Sequence, residues 1–130
     1  MLLTTSPLWI VDLGATDHVA HDQAGYVEYC RISTGARWIY VGDNNKVGVK
    51  GIGTCKLSLR GGQTLYLHDV LYAPDIRRNL VSVNVLLGLG YNMYFHDKQV
   101  DIYLGTVYYG SGFLSNGFMV LVIIIVVAFL

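Results

Sequence analysis

The chain is 130 residues long, 53% hydrophobic and 14% charged, with a mean hydropathy of +0.44. That length accommodates one domain with a sizeable core, and so apolar a composition excludes a disordered chain. Nine basic residues balance nine acidic ones and, apart from Arg77-Arg78, the basic ones are scattered, so no net field draws the chain onto nucleic acid and direct binding there is not expected.

The first element is an apolar strand, Trp9-Ile10-Val11, that runs directly into Asp12 and then the turn Leu13-Gly14-Ala15. Further on, apolar and polar residues alternate with period two over residues 46–50, 55–60, 65–68 and 100–104, the pattern of half-buried strands. Turn-forming residues separate them at 42–45, 51–53, 60–63 and 96–98. A chain of hairpins predicts an all-β domain, either a barrel or a sandwich. One short helix is expected after Pro74, with Asn79 as its cap, Leu80, Val83, Leu86 and Leu87 on one face and Gly88 or Gly90 at its end; the same stretch can also begin as a strand.

Phe118 opens a run of 13 apolar residues to Leu130, shorter than the ~20 a helix needs to cross a bilayer. Its β-branched content suits a buried or interface strand, and membrane attachment is the weaker alternative. The ten tyrosines are assigned to strand packing. Cys30 and Cys55 lack CxxC spacing, and Met1 to Leu3 is followed by Thr, Ser and Pro rather than by a secretory leader, so reduced thiols and a cytoplasmic location are expected.

An acid at the end of a buried strand, followed by small residues, is the pattern of an aspartic-protease-like site. Two carboxylates held at about 3 Å cannot both ionise, so they share a proton and activate water against a peptide carbonyl. Small residues after the acid leave room for a partner loop and substrate, which Gly14 and Ala15 do. His18, His21, Asp17, Asp22, Cys30 and His68 are possible metal ligands, yet one His-x-x-His without a second pair lacks structural-zinc spacing, and surface or hydrogen-bonding roles are expected instead. No phosphate loop is present, so nucleotide chemistry is not supported; no metal and no cofactor are expected.

Four ordered elements carry a resemblance: Trp9-x-x-Asp12-x-Gly14-Ala15-x-x-His18, then Gly51-Ile52-Gly53, then Val70-Leu71-Tyr72-Ala73-Pro74, then Asn79-Leu80-Val81-Ser82. Together they resemble the protease-type, retropepsin-like β-barrel domain of copia-type retrotransposon Pol polyproteins, over about residues 9–91. A weaker echo over residues 112–121 is similar to the start of the pre-integrase region. The domain is therefore expected to span residues 8–110, with residues 111–130 a pre-integrase-like segment ending in a hydrophobic tail that departs from the family.

The resemblance implies a small closed β-barrel with one short helix. It makes Asp12 the catalytic residue, Leu13, Gly14 and Ala15 the active-site loop, Gly51, Ile52 and Gly53 a flap or a plain hairpin tip, and Asn79 to Ser82 the barrel-closing motif. It also implies a polypeptide substrate and a homodimer pairing Asp12 with the partner subunit's Asp12, because Asp17, Asp43, Asp69, Asp75, Asp97 and Asp101 are not followed by a second Ser/Thr-Gly loop. Leu13 departs from the family, whose Ser or Thr there ties the two loops together; an unpaired facing group costs about 1–3 kcal/mol, so weak dimerisation and impaired catalysis are expected. Two functions follow: an endopeptidase that processes a Gag-Pol polyprotein, or a non-catalytic β-barrel remnant of a decayed transposon.

Overall fold

The computed structural model describes residues 2–3, 8–42, 44–123 and 127–128, the first and last pairs by backbone alone. In chain order the strands are β1 (Leu2–Leu3), β2 (Trp9–Asp12), β3 (Val19–Ala20), β4 (Tyr26–Arg31), β5 (Trp38–Val41), β6 (Asn45–Gly48), β7 (Gly51–Ser58), β8 (Thr64–Tyr72) and β9 (Asn79–Ser82). Helix α1 (Val83–Gly88) follows, then β10 (Tyr91–His96), β11 (Gln99–Leu104), β12 (Val107–Ser115), β13 (Phe118–Leu121) and β14 (Val127–Ala128).

Alternation builds the longest pair. Cys55 and Leu57 of β7 and Leu65 and Leu67 of β8 turn inward, and their neighbours Lys56, Tyr66 and His68 face out. The phase slips at Asp69, which takes φ +54 where the β7–β8 register shifts, and Val70 returns to the core beyond it. These residues pack with Trp9, Val11, Val81, Val83, Leu86, Val100, Ile102 and Leu121 in one hydrophobic core.

Ten strands form one mixed sheet in the order β10-β11-β12-β13-β2-β9-β3-β8-β7-β4, with β2–β9 and β3–β8 parallel and the other neighbours antiparallel. The hairpin β5–β6 and the pair β1–β14 stand apart from it. The all-β class with one short helix holds, but the closed barrel does not. Among the described residues β4 pairs only with β7 and β10 only with β11, so both edges end the sheet. The sheet bends back on itself, and among the described residues one bridge, Leu59 to Ile123, and the bonds Arg60 N to Val122 O (3.0 Å) and Gln63 N to Tyr109 O (2.9 Å) span the gap.

Residues 79–82 begin as a strand. The cap of α1 is Ser82, whose hydroxyl accepts from Val85 N at 3.2 Å, so Asn79 stays in the ladder and Leu87 lies exposed. The apolar C-terminal run enters the sheet as β13, between β12 and β2, with Leu121 in the core. Residues 124–126 and 129–130 lie outside the described residues. Among the described residues no helix is long and apolar enough to cross a membrane. The expected boundary between residues 110 and 111 falls inside β12.

Candidate functional site

Asp12 ends β2 and is partly buried. Strand β9 lies between β2 and β3, paired with Asp12 through Ser82 on one side and with Val19 through Leu80 on the other. Residues 13–18 therefore arch over the end of β9. Asp12 Oδ1 accepts from Gly14 N at 2.7 Å, which turns the chain away from the strand. A side chain at Gly14 would begin 3.4 Å from that oxygen, so the glycine leaves the carboxylate open on that side. Leu13, at 68% exposure, points away from the chain's own core.

The arch is bonded beneath. Ser82 Oγ donates to the Ala15 carbonyl at 2.7 Å, Ser82 N donates to His18 Nδ1 at 2.9 Å, and Leu71 N donates to the His18 carbonyl at 3.0 Å. Because Nδ1 accepts, the ring proton of neutral His18 sits on Nε2. Burial pushes His18 down to about 4 against the pull of Asp17, and His68 lowers it slightly further. Asn79 ties the start of β9: its Oδ1 accepts from His21 N at 2.9 Å and its Nδ2 donates to the Leu8 carbonyl at 3.2 Å.

Asp12, Gly14, Ala15 and Asp17 form one wall of a cleft of about 550 Å³, with Leu71, Ile76 and Leu80 as apolar lining. Arg37 and residues 38–41 of β5 supply the opposite wall. The Arg37 guanidinium lies 3.7 Å from Asp17 Oδ1; both are well exposed, and such a pair is worth at most about 1 kcal/mol. The hairpin turn is closed by Asn45 N donating to Gly42 O at 3.1 Å, and Lys46 Nζ sits 4.5 Å above the Trp38 ring.

The structure thus brings Asp12, Leu13, Gly14 and Ala15 together with Asn79 to Ser82. It places Gly51-Ile52-Gly53 elsewhere, inside β7, paired with β4 on one side and β8 on the other. These glycines serve close approach rather than a turn: a Cβ at Gly51 would meet the Tyr29 ring and one at Gly53 the Glu28 carbonyl. The hairpin that shares the cleft with Asp12, through β5, is β5–β6, and the alternation at 46–50 and the turn at 42–45 signal it. Ser82, expected only as part of the barrel-closing motif, and His18, expected in a surface or hydrogen-bonding role, are bonded to each other beneath the Asp12 loop. His21 pairs loosely with Asp22 at 3.6 Å, and no cluster of three metal-ligating side chains exists among the described residues.

A mixed β-sheet that presents one acid loop beneath a hairpin is the form taken here by a known class of polyprotein domain. The family described as Pol polyprotein, beta-barrel domain, matches residues 9–91, and the chain belongs to it. A Ty5-1 transposon protein of Saccharomyces cerevisiae is 37% identical over 81 residues, covering 62% of this chain and 50% of that protein. The retrovirus-related Pol polyprotein from transposon TNT 1-94 of Nicotiana tabacum is 29% identical over 104 residues, 80% of this chain and 8% of its own length. That from transposon RE1 of Arabidopsis thaliana is 33% identical over 75 residues, 58% of this chain and 5% of its own length. The chain therefore corresponds to a copia-type Pol region and spans half or less of these relatives. No solved structure matches it.

Proposed function

We propose that this domain is an aspartic-endopeptidase-type unit that cuts the polyprotein to which it belongs, acting as a homodimer in which each copy contributes Asp12. The observation that carries the reading is the Asp12 carboxylate at a strand end, facing a cleft of about 550 Å³ walled by a hairpin. In the paired site one carboxylate is ionised and takes a proton from water as the water attacks the peptide carbonyl, and its protonated partner donates to the carbonyl oxygen. The apolar lining from Leu71, Ile76 and Leu80 desolvates a substrate side chain.

Leu13 favours a second reading, a domain that folds and binds but does not cut, because an exposed leucine offers no hydroxyl to a facing loop. Peptides spanning the polyprotein, incubated in mildly acidic buffer with wild type, Asp12→Asn and Leu13→Ser, separate the two. The endopeptidase reading expects slow cleavage by wild type, none by Asp12→Asn, and a rate for Leu13→Ser higher by about tenfold, the equivalent of one restored hydrogen bond. Silence in all three, at concentrations where sedimentation shows dimers, would leave the non-catalytic domain.

A further inference from the structure

Ser82 is fully buried, and its N–H and hydroxyl are both aimed at the Asp12 loop, the hydroxyl also at α1. It stands opposite Asp12 in the ladder, its hydroxyl holds Ala15 and caps the helix, and its N–H ends on the ring of His18. His18 is itself 2% exposed and lies 64 residues away in sequence, so this bond joins the acid loop to the strand that supports it.

Only the neutral ring can make that bond. A proton on Nδ1 would set N–H against N–H at a distance of 2.9 Å, and neither group could reach water without the loop lifting. Asp17, in the same loop, favours the charged ring; burial opposes it and outweighs Asp17, and His68 of β8 adds to the effect of burial. The geometry points to His18 as a positioning residue: its neutral ring, acting through Ser82, holds the Asp12 loop on β9, and its protonation releases the loop. The consequence for catalysis rests on the endopeptidase reading, whereas the clamp does not.

The sign follows from linkage. The ring takes a proton at about 4 in the closed loop and near its ordinary 6.5 in the open one, so the open state binds more protons between those values. The clamp is at full strength above 6.5 and weakens as pH falls towards 4. Amide hydrogen exchange of the full chain, corrected for intrinsic rates, tests this at Ser82 and Leu71, with the amides of β11 as remote controls. In wild type the opening equilibrium at Ser82 is expected to rise by about tenfold for each pH unit by which the pH falls across that window, with β11 unmoved. His18→Asn, whose Oδ1 can accept the same N–H but does not titrate, should be closed and flat with pH; His18→Phe should be open throughout. If His18→Phe fails to fold, the contrast between wild type and His18→Asn still decides. A flat wild type, or an equal slope in His18→Asn, overturns the proposal. In the cleavage assay kcat should lose its His18-dependent acid limb in His18→Asn with KM unchanged. A silent protein whose Ser82 amide follows the expected slope keeps the clamp and rejects the endopeptidase reading; a cleaving one with a flat amide does the reverse.

Discussion

Asn79 joins two loops to the sheet with one carboxamide. At 1% exposure its oxygen takes the His21 N–H and its nitrogen serves the Leu8 carbonyl, so Asn79→Leu keeps the volume and breaks two part-buried hydrogen bonds to the backbone. The expected loss is about 1–3 kcal/mol in urea unfolding; a loss below about 0.5 kcal/mol would show that water replaces the amide. The thiols differ for a related reason. Cys55 is buried in the core, and burial, with a contribution from Asp22, pushes it up to about 12, whereas Cys30 is exposed on β4. Since only the thiolate alkylates, iodoacetamide at pH 8 should add one label to the native protein, at Cys30, and a second only after unfolding. Peptide mapping that finds Cys55 labelled first would contradict its place in the core.

The elements were legible where a single strand's alternation decided them, as at 46–50, 55–60, 65–68 and 100–104. They were less so where a residue type has two uses. Gly51-Ile52-Gly53 reads as a turn because glycine permits one, yet these glycines sit in a central strand and make room for Tyr29 and the Glu28 backbone. Asn79 and Ser82 are both good caps, and the ladder with β2 takes the first and leaves the second to α1. Alanine substitutions separate the strand from a mobile flap. Gly53→Ala drives a Cβ into backbone and should cost at least about 2 kcal/mol. Gly61→Ala, in a real turn at φ +69 with open space around it, should cost only about 1 kcal/mol. Thermal unfolding that finds Gly53→Ala neutral would return residues 51–53 to an open hairpin tip.

At the scale of the whole molecule the sequence could not disclose which strand neighbours which. Period-two burial records that one face of a strand is covered, and an open bent sheet satisfies it as well as a closed barrel does. The insertion of β9 between β2 and β3, which creates the Asp12 arch, joins residues some 70 positions apart in sequence and leaves no local mark. The same is true of β13, which connects β12 to β2 by one registered pair, Val120 with Ile10. Beyond it, Val122 bonds to Ser111 and to Arg60, and Ile123 bridges to Leu59, so these few residues hold the two halves of the sheet over the shared core. A chain ended after Gly110 loses part of β12 and all of β13, and with them Leu121 from the core and Met119 and Ile123 packed against it. It should show no cooperative thermal transition, whereas a chain ended after Ile123 should unfold cooperatively. Cooperative unfolding of the shorter chain would mean that the family-matched residues 9–91 fold as a unit without β13, and that the acid loop owes its position to β9 alone.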